Sequence, residues 1–324
     1  MIRTLLPIAL LALATPALAT DPAPAPSEIV AAAPKADWVA IPASDLLVMD
    51  LTPDSKAKPR RVVIQLMPPP FSAGWIGNIR KLAAAHWWDG LSINRVQDNY
   101  VVQWGDADGE DKAKARALPA NLATVPEVGY KVRLMEVMTI SQDAARINAG
   151  VAPFAVRWVI PKEPRGDPYA WVAGMTGSGW PVAKDADAVW PVHCYGMVGV
   201  GRNLSPDTGS GAELYTVIGH APRHLDRNIA LVGRVIEGIE HLSSLPRGTG
   251  ALGFYETPEE RTPIVSVRPG NEVAALPAYE YLSTETATFA RYADARANRR
   301  DPFFIRPAGG ADICNIPVPV RRVK

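Results

Sequence analysis

With 324 residues, 48% of them hydrophobic, the chain can bury a sizeable core in one large domain or two modest ones. Its 34 basic and 33 acidic residues leave a formal charge of +1, which argues against the broad electrostatic surface that nucleic acid or anionic lipid would require. The first 19 residues read as an export signal: Arg3 in a short n-region, an apolar run over 5–14, and Ala17-Leu18-Ala19 as a small-x-small cleavage site before Thr20. That run is short for a bilayer span, and no later segment is long and uncharged enough to be one. A periplasmic or secreted mature chain without a membrane span is therefore expected.

Residues 20–36, TDPAPAPSEIVAAAPKA, are rich in Pro and Ala and read as an extended linker. The β-branched run RRVVIQLM over 60–67 predicts a strand, stopped by prolines 68–70. A helix is expected over 77–86, with Asn78 near its start and Ile79, Leu82 and Ala83 on one face. Two strands over 91–96 and 99–104 follow, joined by a polar turn at Gln97-Asp98. The charged, alanine-rich stretch 107–120 reads as a solvated loop or short helix. Strands are expected over 132–140 and 154–160, whereas 161–191, dense in Pro, Gly and Trp, gives no assignment. Further strands are expected over 194–200, 212–218, 229–235 and 264–267, with a helix over 237–245. In the tail, Ser283-Thr284-Glu285 introduces an amphipathic helix with Phe289, Tyr292 and Ala293 on one face, ended by Asp301-Pro302.

Cys194 and Cys314 are the only cysteines, and in an exported chain they either pair or stay as two buried thiols; a bridge is the expectation. Arg95 sits inside the apolar hairpin, and because an arginine keeps its charge it must meet a polar partner or a ligand wherever the fold turns it inward. Alone, it would read as a surface or salt-bridged strand residue. His220 and His224 have a metal-ligand spacing, but Pro222 lies between them and no carboxylate completes a site, so no metal or other cofactor is expected. The run Gly248-Thr249-Gly250-Ala251-Leu252-Gly253 matches the dinucleotide fingerprint in form only and reads as a loop. The tail basics Arg296, Arg299, Arg300, Arg321, Arg322 and Lys324 read as a solvated face.

The order strand, helix, Trp88-Asp89-Gly90-Leu91-Ser92-Ile93-Asn94-Arg95-Val96, then Tyr100-Val101-Val102-Gln103-Trp104-Gly105-Asp106 resembles the cyclophilin family of peptidyl-prolyl isomerases. That family's pattern is an aromatic-Asp-Gly, then Phe-His-Arg-Val, then Phe-Met-x-Gln-Gly-Gly-Asp. The resemblance places Arg95 as the catalytic arginine, Tyr100 as the pocket aromatic and Gln103 as the substrate-positioning glutamine. A second block, Met197 to Gly201, Gly211 to Thr216 and Leu225 to Gly238, is similar to the family's second half. There the family's glutamine becomes Glu213 and its two aromatics Leu214 and Tyr215. Its wall tryptophan becomes His224, its edge histidine Ile229, and its backbone-binding asparagine Gly199. The histidine before the arginine becomes Asn94.

What the resemblance implies is a mainly β fold: a closed antiparallel barrel capped by two helices, with a long insertion and a C-terminal helical and extended extension. The expected division is signal 1–19, linker 20–36, cyclophilin-like domain 37–270 with its insertion within about 107–191, and extension 271–324. The implied activity is rotation about X-Pro bonds, whose amide resonance sets a barrier of about 18–20 kcal/mol. A guanidinium donating to the prolyl nitrogen or a neighbouring carbonyl would stabilise the twisted state over the planar ones. Arg95 and Gln103 would act in catalysis. Tyr100, Val101, Leu225 and Tyr215 would seat the proline, and Glu213 and His224 would complete the pocket. Expected partners are proline-containing polypeptides, with a monomeric chain and no nucleic acid. The alternative is a catalytically weak peptide- or protein-binding module on the same scaffold.

Overall fold

The structure, a computed structural model, describes residues 22–135, 156–158 and 167–323. The expected export signal lies outside these residues, as do the greater parts of the strands expected over 132–140 and 154–160. Among the described residues no helix is long and apolar enough to cross a membrane.

The chain opens with helix α1 (Pro26–Ala31), strand β1 (Trp38–Ile41), β2 (Leu46–Leu51) and β3 (Arg60–Leu66). Helix α2 (Ala73–Ala84) follows, then the hairpin β4 (Ser92–Val96) and β5 (Val101–Gly105). An inserted sheet holds β6 (Val132–Arg133), β7 (Val156–Trp158), β8 (Val172–Thr176), β9 (Pro181–Lys184) and β10 (Ala188–Pro191). The chain returns through β11 (Met197–Val200), β12 (Leu214–Val217), β13 (Leu231–Glu237), the one-turn helix α3 (Glu240–Ser243) and β14 (Thr262–Pro269). It ends with β15 (Tyr279–Leu282), helix α4 (Ala287–Ala297) and β16 (Val320–Arg322).

Eight strands close an antiparallel barrel in the order β11-β12-β5-β4-β14-β2-β3-β13. Strand alternation explains how one run of apolar residues serves two layers. Val62, Ile64 and Leu66 join the main core, whereas Val63 and Leu46 face outward onto Ile41, Tyr279 and Tyr281. Those outer partners belong to a second sheet, β1-β15-β16, in which a strand preceding the barrel pairs with strands of the tail. Both faces of β2 and β3 are therefore covered, which accounts for their near-continuous apolar sequence.

Helix α2 begins four residues before the expected start, because Trp75 and Ile76 extend the apolar face of Ile79, Leu82 and Ala83. Asn78 is not near the helix start: fully buried, it donates to the carbonyls of Ala123 and Ser210 and accepts from the Ala123 N–H. The helix thus ties the insertion to the loop before β12.

Four expectations need correction. Part of the supposed linker is helix α1: Pro26 opens it, the Glu28 carboxylate accepts from the Ala25 N–H at 2.7 Å, and Ile29 packs into the core near α4. The second capping helix is a single turn, because Val235 and Glu237 remain paired with β3 and tertiary strand pairing overrides the helical spacing. The stretch left unassigned supplies three strands, β8 to β10, of the inserted five-stranded sheet. Finally, the tail basics are not a free solvated face: Arg299, Arg300, Arg321 and Arg322 pair with Asp301, Asp294, Glu280 and Glu237.

Candidate active site

The register of four neighbouring strands lines up the site. Arg95 on β4 stands opposite Gln103 on β5, Gln103 opposite Tyr215 on β12, and Tyr215 opposite Gly199 on β11. A register shift between Ile93 and Arg95 re-aims β4 at this point, as bulges near functional sites do. Alternation separates the faces: Val102, Trp104 and Leu214 point into the main core, whereas Val101, Tyr215 and Val217 form a separate apolar cluster with Tyr100 and Ile229. A groove of about 800 Å³ covers that outer face.

Arg95, Tyr100, Val101, Gln103, Glu213, Tyr215 and Leu225 all line this groove. His224 does not. The tight turn Arg223–Leu225 directs Arg223 inward, onto Asp226 and Asp167, and leaves His224 exposed, its ring parallel to that of Tyr100 with centroids 6.4 Å apart. The residue expected as a pocket wall thus backs the pocket aromatic instead.

The Arg95 guanidinium is held from three sides. Its Nε donates to the Leu252 carbonyl at 2.8 Å, one terminal nitrogen donates to Gln103 Oε1 at 3.1 Å, and the other donates to Gln97 Oε1. Among the described residues three of its five N–H donors are so used, leaving two for a ligand. The Phe254 and Tyr100 rings stand 5.3 and 5.7 Å from Cζ, within cation–π range. Burial lowers the pKa of Arg95, but an arginine remains charged, so the result is a partly dehydrated fixed cation.

Gln103 bridges this cation to a carboxyl group: its Oε1 accepts from Arg95 and its Nε2 faces Glu213 Oε2 at 3.4 Å. Burial pushes the Glu213 carboxyl up to about 7, against the opposing hydrogen bonds of Gln103, the Asp106 backbone and Asn94. The far side of the groove is polar, with Glu110 of the 107–120 stretch hydrogen-bonded across to Asn203 at 3.1 Å. The insertion therefore builds one wall.

Sequence reasoning missed Leu252 and Phe254. Leu252 belongs to the glycine-rich run read as a plain loop and Phe254 follows it directly; the signal was the glycine that permits close approach. Gly253 has φ +81°, and a Cβ there would lie 2.7 Å from Gln97 Cα, so the loop lies directly on the β4–β5 turn. It missed His193 as well, which stands between the unassigned stretch and the strand expected over 194–200.

Cys194 and Cys314 are joined by a disulfide, with their Cα atoms 5.1 Å apart. The bond ties the segment before β11 to the tail.

A family model for cyclophilin-type peptidyl-prolyl cis-trans isomerases matches residues 72–268, more than half of the chain. No curated protein matches it. Among solved structures, the cyclophilin AquaCyp293 from Hirschia baltica has a TM-score of 0.62 at 18% identity, over 89% of this chain and 94% of its own. That likeness is one of fold. A cyclophilin-type peptidyl-prolyl cis-trans isomerase of Cryptosporidium parvum, crystallised in the presence of the dipeptide Ala-Pro, has a TM-score of 0.37 at 11% identity, over 69% of this chain and 98% of its own.

Proposed function

The chain belongs to the cyclophilin-type peptidyl-prolyl cis-trans isomerase family, and from that premise we propose that it catalyses rotation about X-Pro bonds in polypeptides outside the cytosol. The observation that carries the reading is the Arg95 guanidinium, anchored on three sides and, among the described residues, with two donors open beside an apolar seat of Tyr100, Val101 and Tyr215. A prolyl ring in that seat brings its nitrogen toward the guanidinium. As the bond twists, the nitrogen becomes pyramidal and its lone pair becomes a hydrogen-bond acceptor, so Arg95 binds the twisted state more strongly than either planar one. Partial dehydration strengthens this preference, and because the anchors fix the cation beforehand little reorganisation is required. Leu225 and Ile229 complete the apolar rim.

Removing one preorganised electrostatic donor typically costs about 10²–10³ in rate, and Arg95→Ala is expected to lower kcat/KM by about that much. The assay is isomerisation of an Ala-Pro-containing tetrapeptide, followed by protease coupling. Wild-type turnover at the uncatalysed rate would sink the enzyme reading, and an undiminished mutant would sink the role of Arg95.

One observation favours a second reading, a peptide-binding module with slow turnover: both ends of the Gln103 amide are already engaged, by Arg95 and by Glu213. In that case the tetrapeptide binds without acceleration. The export part of the proposal is supported by residues 1–19 as a sequence and by the Cys194–Cys314 bond, since structural disulfides persist in oxidising compartments.

A further inference from the structure

Behind the proline seat lies a buried polar ladder that the bond rotation itself does not use. The Tyr215 hydroxyl is 2.8 Å from His193 Nε2, and His193 Nδ1 is 2.8 Å from Asp226 Oδ1, which also accepts the His193 backbone N–H at 3.0 Å. Asp226 Oδ2 accepts from Arg223 Nε at 2.7 Å, and Arg223 donates onward to Asp167 at 2.6 Å. The His193, Asp226 and Arg223 side chains are 1–2% exposed.

The proton positions follow from these neighbours. Burial keeps the Tyr215 phenol protonated and pushes the His193 imidazole pKa down, so the ring is neutral. Burial opposes ionisation of Asp226, but His193 and Arg223 outweigh it and hold the carboxyl below its usual range. A carboxylate only accepts, so Nδ1 carries the ring proton and donates to Asp226. Nε2 is then bare and accepts from the Tyr215 hydroxyl. Every group has one role, and the direction of the Tyr215 O–H is fixed.

A second observation shows that the strand bed is shaped for this tyrosine. Gly199 is its cross-strand partner, and a Cβ at Gly199 would lie 2.3 Å from both Cζ and Oη of Tyr215. Only a bare backbone lets the phenol lie across β11 and reach His193, whose ring is parallel to it within 10°.

From this geometry we infer that His193 is a positioning residue for the proline seat, holding Tyr215 through its hydroxyl, and that the insertion and the tail act on substrate binding through it. Asp167 comes from the inserted region, and His193 from the short segment that leads out of it, followed directly by Cys194. Asp312 of the tail lies 3.5 Å from Arg223, two residues from Cys314. The parts of the chain added to the barrel thus converge on one wall of the groove.

The inference rests on the isomerase reading. Its test measures kcat and KM for the same tetrapeptide with wild type, Arg95→Ala, His193→Ala, His193→Gln and Tyr215→Phe, each checked for folding by thermal melting. His193→Ala and Tyr215→Phe are expected to raise KM by about 3–10-fold, the loss of one hydrogen bond's worth of order. His193→Gln, whose amide can still accept from the phenol, restores part of the loss. Arg95→Ala lowers kcat instead. Unchanged KM in Tyr215→Phe and in a folded His193→Ala overturns the positioning role while leaving the isomerase reading in place; if His193→Ala does not fold, Tyr215→Phe alone decides. A wild type without turnover overturns the isomerase reading, and the positioning role is then read from the Kd of the tetrapeptide. An equal Kd in wild type and Tyr215→Phe, or no binding at all, overturns it.

Discussion

Glu213 joins the groove's polarity to its stability. Its carboxyl is packed over Gly105 and against Gln103, and burial raises its pKa from 4.5 to about 7. A raised carboxyl pKa means that the folded state holds the proton more tightly than the unfolded chain. The associated stability is fully present below about pH 4.5 and is lost as pH rises through 7, on the order of 3 kcal/mol in all. Glu213→Gln keeps the shape and removes the charge. The mutant is expected to melt higher than wild type at pH 8, with a smaller difference at pH 6; a wild type to mutant gap that does not widen between these two pH values would show that the carboxyl titrates elsewhere.

The elements that matter most to Arg95 are a hairpin and a loop distant from it in sequence. Strands β4 and β5 supply the guanidinium and its glutamine neighbour, but the Leu252 carbonyl comes from 157 residues away. The loop can approach because Gly253 rests on the backbone of Val96 and Gln97. Gly253→Val would lift it and withdraw the carbonyl. An ångström-scale misplacement of a catalytic group commonly costs tenfold or more, so kcat/KM is expected to fall by at least about tenfold. Unchanged activity would mean that the hairpin alone orients the arginine. The hairpin was legible in the sequence because Arg95, Tyr100 and Gln103 are within eight residues of one another. The loop was not, because glycine-rich runs announce freedom without announcing what they touch.

On the scale of the whole molecule, a barrel is wrapped by its own additions. The three-stranded sheet of β1, β15 and β16 covers the outside of β2 and β3, and the disulfide closes a loop of 120 residues between the insertion's end and the tail. The chain-entropy model assigns a loop of that size about 5 kcal/mol, an upper figure for most proteins. Cys314→Ser is expected to lower unfolding free energy by about 2–5 kcal/mol in urea titration and to raise KM through His193. A fall in stability below about 1 kcal/mol would show that the tail is held by packing alone. If the chain is exported as proposed, protein recovered from outside the cytosol begins at Thr20 and has no titratable thiol when unfolded; a retained leader would refute that part.

The sequence by itself determined the family, the barrel strands on either side of the insertion except β2, and the row from Arg95 to Gln103. These are written in local spacing: alternation at two residues, turns at fixed offsets, and three chemically distinct side chains inside one hairpin. Tertiary structure alone decided the rest. It turned 26–31 into a helix by giving Ile29 a core to enter, and kept 235–237 in a strand by giving it β3 to pair with. It sent His224 outward, and it brought His193, Asp226 and Tyr215 together behind the groove. The physical reason is that a buried polar group is defined by its partners, and for His193 those partners lie 22 and 33 residues away, where no periodicity reaches.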